Sequence, residues 1–157
     1  MKGTGLLVGG LVLVVAGIAG LAVLNSGLVP LSTGANSPEE RGAAIFETGT
    51  DPSTGPIPYS GGMMMRASCA GCHGVDGRGL QTRMFVSPNI TYRNLTDPAG
   101  MVEPDGARGM KYTDDLIRRA VTQGTDAEGK PLGYPMPRWQ LTDAQWNDLL
   151  AYLKTLP

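Results

Sequence analysis

Cys69-Ala70-Gly71-Cys72-His73 is the stretch that decides the reading. Two thiols three positions apart, with an imidazole directly after them, form the C-x-x-C-H pattern that attaches a c-type haem. Spaced in this way on one helical turn, both sulfurs can add to the two vinyl groups of a porphyrin, and the following imidazole is placed as the proximal iron ligand. The chain has two Cys and one His in total, and the pattern uses all three. A thioredoxin-type dithiol would follow a βαβ pattern, which the sequence lacks. A zinc site would need a fourth ligand beyond two Cys and one His.

The flanking phrases extend the pattern. Gly61-Gly-Met-Met-Met-Arg-Ala-Ser68 precedes it, and Pro88-Asn-Ile90, Tyr134-Pro-Met-Pro137 and Ala151-Tyr-Leu153 follow in order. On these pieces the chain resembles, from about Gly61 to Leu156, a class I cytochrome c. The resemblance implies an all-α fold, a small helical haem domain with one covalent haem c, and transfer of single electrons rather than independent catalysis.

The chain has 157 residues, enough for one domain with appendages. Setting aside the N-terminal third leaves roughly a hundred residues, a small number for a large apolar core. Only 6% of residues are aromatic, and 23 Gly with 12 Pro make the chain rich in loops. A buried haem would supply the missing apolar surface, so the domain is expected to fold poorly without it. A formal charge of −1 argues against nucleic acid as a partner, which would call for a basic surface.

Working toward the N-terminus, Gly5 to Leu24 is an apolar run without a charge. As a helix, twenty such residues span about 30 Å, the thickness of a bilayer's hydrocarbon core. The rival reading is a signal peptide, whose apolar region runs about 7–15 residues. The run here is longer, and no convincing A-x-A site follows, so residues 1–25 are expected to be an uncleaved transmembrane anchor in the lipid bilayer. Lys2 and the amino terminus favour a cytoplasmic start, which puts the haem domain on the periplasmic, extracytoplasmic side. Gly5-x-x-x-Gly9 and Ala16-x-x-x-Gly20 offer flat faces to a second membrane helix.

Residues 26–60 read as a linker with a short helix and a Pro-rich loop, and 61–157 as the haem domain. Asn25 to Ser37 would be a tether with a root-mean-square span of about 20 Å if flexible. Ser37-Pro38-Glu39-Glu40 is a helix start, with Ser as N-cap, Pro at N1 and Glu at N3. Gly42-Ala-Ala-Ile45-Phe46 looks like a family phrase found shortly before the haem motif, but it lies 23 positions before Cys69, so the role of its helix stays open.

Beyond the motif, Gly74 to Gly79 must be a loop, with three Gly in six residues. Thr113 caps a helix to about Gln123, closed by Gly124, with Leu116, Ile117, Ala120 and Val121 as its buried stripe and Arg118 and Arg119 on its solvated face. Thr142-Asp-Ala-Gln145 opens a C-terminal helix whose stripe is Trp146, Leu149, Leu150 and Leu153, expected to pack on the first haem helix. The stretch from Thr91 to Tyr112 carries no assignable pattern.

The resemblance also implies roles for single residues. Pro88 would offer its carbonyl to the Nδ1–H of His73, fixing the tautomer and raising ligand basicity. With His73 used, the distal donor is a thioether, a lysine or nothing. Met136, held between Pro135 and Pro137, is the expected iron ligand alongside His73, with Met101 as runner-up. Tyr134, Arg138 and Trp139 flank it and are candidate propionate contacts. His/Met ligation raises the reduction potential and closes both axial positions. The expected partners are membrane redox complexes: a quinol-oxidising complex, a terminal oxidase or an alternative complex III, in a respiratory or photosynthetic chain. The competing reading is an open-site haem protein, a gas sensor or redox enzyme subunit without a Met ligand.

Overall fold

Gly42 is where two helices distant in sequence touch. The computed structural model describes residues 37–63 and 68–157. The apolar run at 5–24, most of the tether, and Met64 and Met65 lie outside those residues. Among the described residues no helix is long and apolar enough to cross a membrane.

The first helix, α1, runs Pro38–Thr48. Its start is the expected capping box: Ser37 Oγ accepts from Glu40 N at 3.1 Å, and Ser37 N donates to the Glu40 carboxylate at 3.1 Å. Two two-residue strands, β1 (Thr50–Asp51) and β2 (Gly55–Pro56), pair as an antiparallel hairpin. A third strand, β3 (Tyr59–Ser60), pairs with a distant β4 (Arg138–Trp139). Helix α2 is Cys69–His73, α3 is Tyr92–Leu95 and α4 is Asp114–Gln123. The C-terminal α5 is Asp143–Leu153. The expectation of an all-α fold therefore holds for the main frame, with two small antiparallel ladders added to it.

The main correction concerns the N-terminal helix. Read from the sequence as part of a linker, α1 instead packs along α5, burying Ile45 and Phe46 in the core with Trp146, Leu149 and Leu153. A Cβ added at Gly42 would lie 2.0 Å from the Asp148 carbonyl oxygen, so only glycine permits this approach. Arg41 seals the contact with a two-pronged ion pair to Asp148, at 2.7 Å on each prong. Phe46 and Tyr152 add a tilted ring contact at 5.3 Å. The stripe on α5 was thus legible, but its main partner is α1 rather than the helix bearing the two cysteines.

The hairpin after α1 is fixed to α5 by a buried polar bridge. Asp51 accepts from Ser53 N (2.8 Å), Ser53 Oγ (2.6 Å) and Thr54 N (3.3 Å), and its other oxygen accepts from Gln145 Nε2 at 2.9 Å. Gln145 also closes the α5 capping box, accepting from Thr142 N at 3.0 Å. Burial pushes the Asp51 carboxyl up, but the bonds from Ser53, Gln145 and Thr54 outweigh it and hold the group well below its ordinary value. Ile57 then completes the core from this segment.

Helix α4 follows its sequence signals, from the Thr113 N-cap to Gly124 in the left-handed region. Ile117 and Ala120 are buried, while Leu116 and Val121 pack partly exposed against the core. Within 91–112, where the sequence carried no pattern, Asn94 makes the structure. Its side chain accepts from Val102 N at 3.0 Å and donates to the carbonyls of Asn89 (2.8 Å) and Val102 (3.2 Å). That side-chain scaffold brings Leu95, Met101 and Tyr112 inward.

G42A should lower the unfolding free energy of the holoprotein by about 1–3 kcal/mol, as overpacking typically does, read by urea titration. D51N should narrow its deficit in acid. The folded Asp51 carboxyl lies below its ordinary 3.8, so its contribution is complete above that pH and fades as the pH falls through the folded value. Urea midpoints of wild type and D51N should therefore differ most at neutral pH and approach each other in strong acid.

Candidate functional site

Ser68 starts the helix that carries the two thiols. Its Oγ accepts from Gly71 N at 3.1 Å, and Gly74 N donates back to Ala70 O at 2.9 Å, closing a single turn. Cys69, Cys72 and His73 thereby line one cavity of 320 Å³. That volume lies in the range of small-molecule sites, roughly 300–1,000 Å³. Phe46, Leu95, Ile117, Trp139, Leu149 and Leu153 supply part of an overwhelmingly apolar wall. Among the described residues, no Lys, Arg, Asp or Glu faces it.

His73 is buried, with Nδ1 2.9 Å from the carbonyl oxygen of Pro88. A carbonyl can only accept, so Nδ1 carries the proton and Nε2 keeps a free lone pair. Burial pushes the imidazole pKa down, partly opposed by the Pro88 carbonyl, so the ring is neutral and ready to ligate. The loop after the motif holds this pair in place. Gly79 N donates to His73 O at 2.8 Å, Ser87 Oγ donates to Cys72 O, and Leu80 N donates to Ser87 Oγ at 2.8 Å. A Cβ at Gly79 would meet Ser87 O at 2.4 Å and Pro88 O at 3.0 Å, so the loop backbone lies directly against the proline.

The cysteines are not paired with each other. Burial pushes the Cys69 thiol up to about 12. A reactive dithiol needs the opposite, a pKa lowered to about 3.5–7.5. Burial thus makes Cys69 a poor thiolate for thiol–disulfide exchange.

Among the described residues, three methionines line the same cavity: Met63, Met101 and Met136. Met101 is buried at 4% exposure and Met136 is half-buried. Met84 and Met110 are exposed and do not line it. Met63, on the segment after β3, lines the cavity as well. Two apolar faces, two thiols, one neutral imidazole and a thioether form the donor set of a covalently held haem, and the residues present fit that group.

The three residues flanking Met136 part company. Trp139 is buried, lines the cavity and packs on Tyr59 with centroids 4.9 Å apart. Tyr134 is 74% exposed, and its carbonyl accepts from Gly62 N at 2.9 Å. Arg138 points its guanidinium at backbone carbonyls: Leu132 (2.6 Å), Gly133 (3.2 Å), Gly124 (3.5 Å) and Met136. Its four terminal N–H groups are directed at those four carbonyls. Neither Tyr134 nor Arg138 lines the cavity.

The family model described as Cytochrome c matches residues 39–157. No curated protein and no solved structure matches the chain.

G79A should force Ser87 and Pro88 away from α2. In the holoprotein the His73 Nδ1 proton should then exchange with solvent faster than in wild type, as followed by proton NMR.

Proposed function

The chain belongs to the cytochrome c family and is a c-type haem electron-transfer protein; from that premise we propose a membrane-anchored, single-haem carrier whose iron is bound by His73 and Met136. Bound haem c supplies a one-electron Fe(III)/Fe(II) couple. The observation that carries the proposal is an apolar cavity lined at once by both cysteines of the motif, the oriented imidazole and the Met136 loop.

In this reading Cys69 and Cys72 would hold the group by thioether bonds, and the Pro88 carbonyl, by keeping the proton on His73 Nδ1, would leave Nε2 as the donor to the iron. The apolar wall excludes water. A low local dielectric with a neutral His/Met ligand pair favours the less charged reduced state and raises the reduction potential. With Met136 as the second donor, the group would be closed to dioxygen and peroxide and would supply electron transfer alone.

Residues 5–24 anchor the chain in the bilayer, and the haem domain stands on the extracytoplasmic face beside a quinol-oxidising complex, a terminal oxidase or an alternative complex III. The support is the length of the apolar run, its Lys2 flank and the redox chemistry of the domain.

The test is spectroscopic, on protein extracted from membranes with detergent. The pigment should stay with the polypeptide in acidified acetone. M136A should abolish the weak far-red absorption of a sulfur-ligated ferric haem and open the ferrous form to carbon monoxide, whereas M101A should do neither. Rapid carbon monoxide binding by the wild type would support the open-site reading instead.

A further inference from the structure

The loop that carries Met136 is short of backbone donors. Pro131, Pro135 and Pro137 have no N–H, so three of the seven residues from 131 to 137 cannot hold a neighbour by main-chain bonds. The remaining main-chain ties are few: Leu132 N to Gly124 O at 2.7 Å, Met136 N to Gly133 O at 3.1 Å, and Gly62 N to Tyr134 O at 2.9 Å. The prolines stiffen the loop locally but do not fix where it sits relative to the cavity.

Arg138 supplies what the prolines remove. From its place on β4 it reaches back under the loop and donates to the carbonyls of Leu132, Gly133 and Met136, and across to Gly124 at the end of α4. It makes no ion pair among the described residues, so its charge is directed wholly at carbonyl dipoles. The far side of the contact is shaped for it. Gly124 has φ of +68°, and a Cβ there would lie 2.0 Å from Arg138 Nε and 2.3 Å from Cζ. Glycine at the α4 terminus thus both closes the helix and leaves room for the guanidinium.

We propose that Arg138 is the positioning residue for the iron's thioether: by joining the Met136 loop to the end of α4, it keeps the sulfur in the cavity and prevents the loop from swinging out. The inference rests on the reading of Met136 as sixth ligand. Hydrogen bonds from a charged donor are among the stronger ones, and four shared by one planar group fix a loop in orientation as well as distance. Lysine cannot reproduce this, because its ammonium has three donors at a single point and no fork.

The experiment uses the full-length haem-loaded protein and three variants, R138M, R138K and M136A. The readouts are the ferric far-red band, its loss with rising temperature, and the rate at which cyanide binds the oxidised protein. Cyanide can enter only when the sulfur is off the iron, so its rate reports the loop's opening. R138M should bind cyanide about tenfold faster or more and lose the band well below the unfolding transition, with R138K in between. M136A should lack the band at all temperatures. If M136A lacks the band while R138M and R138K match wild type in band and cyanide rate, the positioning role is overturned and the ligand assignment survives. If M136A keeps the band, the ligand assignment itself falls. Should R138M fail to fold, R138K carries the test, and a wild-type cyanide rate in it overturns the proposal.

Discussion

An apolar cavity walled by the core's own side chains is the constraint that the rest of this structure answers to. The side chains around the hole are the core itself: Phe46, Leu95, Ile117, Trp139, Leu149 and Leu153 face it while also packing on one another. Haem c therefore acts as the central core residue, and covalent attachment through the motif keeps it from being lost when the domain opens. The low aromatic content follows from the same fact, since the porphyrin contributes the large flat surface that Phe and Trp would otherwise provide.

Around that centre the chain uses two different strategies. The proximal wall is held by short-range bonds onto main-chain carbonyls: the His73 ring to Pro88 O, Gly79 N to His73 O and Ser87 Oγ to Cys72 O. Loops can pack this tightly only where glycine lets main chains approach, as Gly79 does. The distal wall contains three prolines and has few main-chain donors, so one long side chain, Arg138, donates to its carbonyls at Leu132, Gly133 and Met136. The outer frame closes at a third point: α1 and α5 meet at Gly42, with an Arg41–Asp148 pair at the rim. Since Arg41 remains partly exposed, that pair contributes modestly beside the apolar contact.

What the sequence made legible was local. The capping boxes at Ser37 and Thr142 and the Thr113–Gly124 bracket are read within a few residues, and each is present. The C-x-x-C-H motif was readable because it consumes every Cys and His in the chain. The docking of α1 was not readable. Its partner Asp148 lies 107 positions beyond Arg41, and a glycine on a helix face carries no mark of what approaches it. Asn94 in the unassigned stretch was hidden for a related reason, because amide-to-backbone bonds have no periodicity. Arg138 drew attention only as a charge near a candidate ligand. Its partners are carbonyls, which every residue owns and no sequence pattern announces.

The segment between α1 and the thiol-bearing helix connects these layers. It leaves α1, forms a hairpin fixed by Asp51 to Gln145 on α5, and then lays β3 against β4. There Tyr59 packs on Trp139, Gln140 N donates to Pro58 O, and Gly62 sits where an added Cβ would be 3.1 Å from Pro137. The strand that bears Arg138 is thus gripped from the outer frame at the same point where its guanidinium grips the Met136 loop. An isolated two-residue ladder is too short to be stable alone. It persists because both ends are tied to helices, and so the distal wall inherits its rigidity from the contact between α1 and α5. A change at Gly42, far from the cavity, should therefore be felt at Met136 as well as in the unfolding free energy, because the frame that steadies the sulfur is the one that the glycine allows to close.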